Sequence, residues 1–259
     1  MAKNIYERDS YLNKSFDFIP SANIKEYDMK SGGLSIIMSK KLLSENQIEE
    51  LKAMPKKQRN IQIGLIQRRD RELAKQLANG FREYRKMFFE ANEIDESNVI
   101  SIKKDAVILV NSKINRTVFD KVQFRDKNRY SSYYFLQNKN NGIELYYNRR
   151  DNILDIKGID DNDLYLHRSM ISFLKKVIKL NEVSNSSAKR YLYDFADRYR
   201  KRKLNKTFYR EFKPDGKFRI YINLDTGSFL SDEIVDDDIL IDINYNYKYV
   251  ILPLIKMIF

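Results

Sequence analysis

From Gln58 to Asn92 the chain keeps a helical period. Leu65, Leu73, Leu77, Phe81, Tyr84 and Phe88 fall near one face, and Arg and Lys cover the other. Short β-type runs flank this stretch: "KEYDMKSGGLSIIMSKK" from Lys25 to Lys41 before it, and "NVISIKKDAVILV" from Asn98 to Val110 after it. Helix set between strand segments points to an α+β fold. Each flanking run carries one conspicuous carboxylate, Asp28 and Asp105. A charge in an apolar strand is costly unless it is paired or binds a metal. For Asp28 the simple reading is a turn, because Gly32 and Gly33 permit φ > 0. Asp105 reads as mid-strand, on the face of Ser101 and Lys103, where an ion pair with Lys103 or Lys104 is the simple reading.

The rest of the pattern follows from turn and cap chemistry. Residues 1–25 read as irregular or as short strands, and "LSIIM" (34–38) as a buried strand or the first turn of a helix. Ser44 reads as an N-cap with Gln47 three residues on, and Pro55 as a stop. Strands are expected at 117–124, 130–136 and 142–147, with turns at Asp126 to Asn128 and Asn140 to Gly142. Two amphipathic helices follow, "LYLHRSMISFLKKVIKL" and "SSAKRYLYDFADRYRKRKL". The second has an apolar stripe of Ala188, Tyr191, Leu192, Phe195, Ala196 and Tyr199. Asn185 opens the best linker-like break after Gly158. Short strands and a last helical or extended segment are expected over 207–259.

Charge then bears on partners. Lys and Arg exceed Asp and Glu to give a net +12 over 259 residues. That favours a polyanion, nucleic acid or an anionic membrane surface. Eighteen Tyr and fifteen Phe lie among the basic residues, and some can stack on bases, although most are expected in the core. The chain has no cysteine, which rules out disulfides and thiolate metal sites. Its one histidine, His167, argues against a His-rich zinc site or a Ser-His-Asp triad and is expected to be structural. The N-terminus lacks a signal-peptide pattern. "YVILPLIKMIF" is too short to span a bilayer, so a soluble cytoplasmic protein without a membrane partner is expected. The Lys-, Asn- and Ile-rich composition hints at an AT-rich viral or mobile-element genome.

Two strand-borne carboxylates can hold two Mg²⁺ ions, which activate a 3′-hydroxyl and stabilise a leaving pyrophosphate. A basic helix between them can grip a triphosphate. This is the layout of a polymerase palm with fingers. At these residues the chain resembles the family B DNA polymerases. "DMKSGGLSII" resembles that family's motif A, with Asp28, Ser31, Ser35, Ile36 and Ile37 in register. "KQLANGF" resembles motif B through Lys75 and Asn79. "KKDAVILV" resembles motif C through Asp105. "KNRY" resembles the duplex-contacting Lys-Lys-Arg-Tyr element through Lys127, Arg129 and Tyr130, and "LDIKGID" the following Lys-Gly element through Lys157 and Gly158. The departures are specific. Gly33 replaces the ribose-excluding Tyr, Arg82-Glu83 replaces Tyr-Gly of motif B, and Lys103 replaces the first Asp of motif C. The Arg-Arg-Asp expected after Lys-Gly is absent, with Asp160, Asp161 and Asp163 nearby.

The resemblance implies a palm, an antiparallel sheet carrying the two aspartates, over 1–43 and 99–163. A short helical fingers-like insertion is expected over 44–98, and a mixed, largely helical thumb-like region over 164–259. The short segment before Asp28 implies a minimal or split polymerase without an exonuclease domain. The implied activity is template-directed nucleotidyl transfer, DNA polymerase in type, with Asp28 and Asp105 holding Mg²⁺ or Mn²⁺. Lys75 would meet the triphosphate of a dNTP, with Asn79, Ser31 and Gly33 shaping its pocket. Lys127, Arg129, Tyr130, Lys157 and Gly158 would follow the DNA primer–template. The basic helix end with Arg198, Arg200, Arg202 and Lys203, near Lys206, adds phosphate contacts or is a solvated end that complements the helix dipole. A separate protein supplying the remaining polymerase domains is a further expected partner. Two other readings stay open: a decayed palm that binds nucleic acid within a replication complex, and a basic structural protein unrelated to polymerases.

Overall fold

The structure, a computed structural model, describes residues 4–137, 142–158, 168–201, 203–205, 208 and 247–259. Two compact units divide the chain: Met1–Ser15 with Ala22–Arg129, and Phe16–Ser21 with Tyr130–Phe259. The second expected palm segment, 99–163, is therefore shared between the units. Antiparallel sheets and helices make the chain α+β.

The first unit begins with a 3-10 turn at Ile5–Glu7 and β1 (Ser10–Leu12). The brief strand β2 (Phe18–Ile19) belongs to the second unit. β3 (Ile24–Met29) leads into α1 (Gly32–Lys40). Residues 34–38 are thus helical. Gly32 and Gly33 open the helix, and Ser31 takes the left-handed turn at φ 51°. Next come α2 (Glu45–Ala53), α3 (Lys56–Arg69) and α4 (Arg71–Ala91). The capping box forms as its residue types require: Gln47 N–H donates to Ser44 Oγ, and the Gln47 side chain returns to the Ser44 backbone. The long helical pattern is divided at Asp70. Its N–H bonds the Ile66 carbonyl while its carboxylate accepts from Leu73 N–H at 2.9 Å, so one residue closes α3 and caps α4.

β4 (Val99–Lys103) and β5 (Ala106–Val110) form a hairpin, followed by β6 (Val118–Phe119) and β7 (Val122–Tyr130). The sheet order is β1-β4-β5-β3-β7-β6. One of its faces gives Tyr27, Met29, Ile102, Val107, Leu109 and Phe124 to a core with Leu34, Ile37, Leu77, Phe81, Tyr84 and Phe88. Phe88, fully buried, stacks on Phe124 with centroids 4.2 Å apart. The turn expected at Asp126 to Asn128 is absent, because β7 runs straight through it.

In the second unit β8 (Ser132–Leu136), β9 (Ile143–Asn148) and β10 (Ile153–Lys157) pair with β2 in the order β10-β9-β8-β2. Helices α5 (Arg168–Val183), α6 (Asn185–Arg200) and α7 (Leu252–Ile258) share its core. The expected α6 stripe is buried, Tyr191 partly so. The linker-like break is a tight helix–helix turn, with Ser184 capping α6 by accepting from Ser187 N–H. Among the described residues no helix is long and apolar enough to cross a membrane.

Candidate functional site

Asp28 and Asp105 reach the same end of the large sheet. Asp28 lies on β3 opposite Ala106 of β5. Asp105 is not in mid-strand as expected. The run Lys103-Lys104-Asp105 ends β4 and turns, so Lys104 and Asp105 form a two-residue loop between the paired Lys103 and Ala106. Three polar residues between two apolar β-branched runs are turn material, and Lys104 takes the left-handed φ of 50°. Met29 N–H donates to the Asp105 carbonyl at 3.0 Å, tying the loop to the end of β3.

A second anchor holds this loop from behind. Arg85 on α4 is fully buried and donates to three backbone carbonyls. Nε bonds Tyr6 O at 2.6 Å, Nη2 bonds Arg8 O at 2.6 Å, and Nη1 bonds Lys104 O. Burial pushes its pKa down to about 10, and the charges of Asp9 and Asp105 oppose that shift. Lys104 N–H also bonds Asp9 O at 2.8 Å. Sequence reading missed Arg85, since a lone Arg in a basic helix carries no signal of burial.

Period-two alternation puts Glu26 and Asp28 on one face of β3, and Arg125 and Lys127 on one face of β7. Arg125 clamps Asp28, with Nε 2.5 Å from Oδ1 and Nη2 2.9 Å from Oδ2. Lys127 Nζ is 3.9 Å from Asp28 Oδ2 and 3.2 Å from Glu26 Oε1. Asn128 donates to Glu26 Oε2 at 2.7 Å. This acid–base ladder is why Asp126 to Asn128 looked like a turn. Its hydrogen bond to Asp28 raises the Arg125 pKa above its ordinary value, and the charges of Asp28, Asp105 and Glu26 add to the rise. Two carboxylates are a sufficient protein share for a Mg²⁺ that also takes water and substrate phosphate. Arg125 holds both oxygens of Asp28, so a cation at that carboxylate would have to displace the guanidinium. Among the described residues no group of three or more His, Asp or Glu side chains is arranged to hold a metal.

The turn after β3 is covered by α3. Arg59 Nη2 donates to Ser31 Oγ at 3.1 Å, while its buried Nε has no hydrogen-bond partner among the described residues. A Cβ on Gly33 would sit 3.7 Å from Ile63, in ordinary contact. On Gly32 it would meet Phe81 at 2.9 Å and Met29 at 3.1 Å, so Gly32 is the glycine this packing requires. Lys75 and Asn79 are exposed on α4. Asn79 Oδ1 accepts from Arg82 at 3.4 Å and helps line an open depression of about 280 Å³ with Tyr6, Glu7, Arg82, Glu83 and Lys86.

The other expected contact residues are distributed. Arg129 forms an exposed pair with Asp126 at 2.7 Å. Tyr130 and Lys157 converge on Asp155, the hydroxyl donating at 2.6 Å and Nζ lying 3.7 Å away. Gly158 has φ 96°, and a Cβ there would lie 2.5 Å from Gly142 O, so glycine is required. At the α6 end, Arg198 pairs with Asp194 at 3.7 Å and Lys201 with Asp197 at 2.9 Å. Arg200 lies 5.9 Å over the Tyr247 ring, and Lys203 is exposed. Arg202 and Lys206 lie outside the described residues, as do His167, Asp160, Asp161 and Asp163.

The fold and site define an α+β protein with two carboxylates gathered at one end of an antiparallel sheet. The chain belongs to the family described as bacteriophage PBS1 gene 130 protein, whose match spans residues 1–259. No curated protein matches it. The family's name is that of a phage gene product, in keeping with the viral expectation from composition.

Proposed function

We propose that the chain is a polymerase-type palm that transfers nucleotides from a dNTP to a DNA primer on a template. One observation carries this reading: Asp28 near the end of β3 and Asp105 in the adjacent hairpin loop lie at the same end of the sheet. The resemblance of these segments to family B motifs A and C supports it. In this reading 1–43 and 99–163 form the palm, 44–98 the fingers and 164–259 the thumb. Asp28 and Asp105 hold Mg²⁺ or Mn²⁺, which would activate the 3′-hydroxyl and neutralise the leaving pyrophosphate. Arg125 leaves Asp28 when the nucleotide binds, and its charge passes to a phosphate. Arg59, reaching over Ser31 with an unused N–H, joins Lys75 in meeting the triphosphate, and Asn79, Ser31 and Gly33 bound the nucleotide. Lys127, Arg129, Tyr130, Lys157 and Gly158 follow the duplex, with Arg198, Arg200, Arg202 and Lys203 on its phosphates.

Primer extension with Mg²⁺ or Mn²⁺, using deoxy- and ribonucleotides, tests this. Asp28→Asn and Asp105→Asn should each abolish incorporation and leave DNA binding nearly intact. Undiminished extension by both variants overturns the assignment. With Gly33 in place of a bulky gate, ribonucleotides should be accepted, and Gly33→Tyr should raise deoxynucleotide preference. The second reading is a decayed palm that only binds nucleic acid. The bidentate Arg125–Asp28 pair favours it, and a wild-type chain that never extends a primer would select it.

A further inference from the structure

Helix α3 carries apolar residues on opposite sides. Ile63 is buried at 6% exposure, whereas Ile61 (56%) and Leu65 (39%) face solvent. At about 100° per residue, Lys57, Arg68, Ile61, Leu65 and Arg69 fall within an arc of roughly 120°. At about 1.5 Å per residue, Lys57 to Arg69 spans roughly 18 Å of helix. The exposed face thus runs from one cation, across two aliphatic side chains, to two more cations. α3 contains no acidic residue. Lys57, Arg68 and Arg69 have no ion-pair partner among the described residues. On the neighbouring helices Lys40, Lys52, Arg82 and Lys86 are paired, while Arg71 and Lys75 of α4 have no ion-pair partner among the described residues. A merely solvated helix face is usually laced with opposite charges three or four residues apart, and this one is not.

We propose that this face of α3 binds a single strand of nucleic acid. Lys57, Arg68 and Arg69 take successive backbone phosphates, and unstacked bases lie against Ile61 and Leu65. The two chemistries must alternate along one strand for both to be used. A duplex hides its base faces and would engage the cations alone. The absence of acidic residues selects a polyanionic occupant, and the net charge of +12 does the same for the whole chain. The inference extends the proposed function by giving the unpaired template strand its own contact, and rests only on the nucleic-acid side of that reading.

Fluorescence anisotropy of the full chain with a labelled single-stranded oligonucleotide and a blunt duplex, at several salt concentrations, tests it. K57A/R68A/R69A should weaken single-strand binding at least about tenfold and flatten the log–log salt slope by about two units, three contacts at about 0.7 each. The blunt duplex should lose several-fold less. I61S/L65S should weaken single-strand binding with the slope unchanged. All of these side chains are exposed, and circular dichroism checks that the variants stay folded. Unchanged single-strand affinity in the triple variant overturns the proposal and leaves the face to an acidic protein partner. Equal losses on single strand and duplex also overturn it. A wild-type chain that binds the single strand in this way yet never extends a primer counts against the catalytic reading alone.

Discussion

Removing the Arg125 side chain should tighten divalent-cation binding at Asp28. The guanidinium makes two charge-assisted hydrogen bonds to that carboxylate, at 2.5 and 2.9 Å. A hydrogen bond to a charged group contributes about 1.5–3 kcal/mol. Arg125 is 42% exposed in its side chain, so solvent screening leaves about 1–2 kcal/mol for the pair. A cation that takes Asp28 must first give up that interaction. In Arg125→Ala it does not, and at about 1.4 kcal/mol per tenfold the gain is roughly five- to thirtyfold in affinity. Lys127 stays nearby in the variant, so the site keeps one positive neighbour. Mn²⁺ titration followed by electron paramagnetic resonance of the free ion measures the change. Arg125→Ala should also melt at a lower temperature without cation, because Asp28 is 8% exposed and loses its partner, and Mn²⁺ should restore it. The double variant D28N/R125A should lose the gain. Mn²⁺ binding no tighter in Arg125→Ala than in wild type would refute the competition between guanidinium and metal.

Three further outcomes follow from the geometry. Gly32→Ala should destabilise the first unit by about 1–3 kcal/mol through its close approach to Phe81 and Met29, while Gly33→Ala should be neutral or stabilising by up to about 1 kcal/mol; equal urea midpoints for the two would contradict this. Arg85→Met should cost about 3 kcal/mol or more, about 1 kcal/mol for each of three carbonyls left without a donor, and amide exchange at Met29 and Lys104 should quicken. Unchanged exchange there would mean that the hairpin loop does not depend on Arg85. The Asp9 pKa lies below its usual 3.8, first through its hydrogen bond with Arg82. The pair's stabilisation is therefore complete above that value and is lost as pH falls through the lower folded pKa. The melting-temperature difference between wild type and Asp9→Asn should shrink only below about pH 4, and a constant difference down to pH 2 would be the wrong result.

Much of the local structure was legible because it depends on neighbours in sequence. The Ser44–Gln47 box, the α4 core face from Leu73 to Phe88 and the α6 stripe are set by residues one to four apart. The errors have a common origin. Lys103 to Asp105 and Asp126 to Asn128 are both short polar runs between β-type residues. One is a hairpin loop and the other the middle of a strand. Sequence alone cannot separate them, because what keeps β7 extended is the acidic pair Glu26 and Asp28 across the sheet. Gly32 and Gly33 likewise look alike in the sequence, and only the approach of Phe81 from α4 distinguishes them.

The amino-acid sequence by itself determined the α+β class, the helix caps, the apolar faces, the positive charge and the two aspartates worth watching. These follow from periodicity, short-range hydrogen bonding and composition. Tertiary structure decided that Asp28 and Asp105 share one end of a sheet, that Arg125 clamps Asp28, and that Arg85 holds the loop from within the core. Each of these joins residues far apart in the chain. Such pairings depend on strand register and on which helix covers which face, and both are set when the whole core packs.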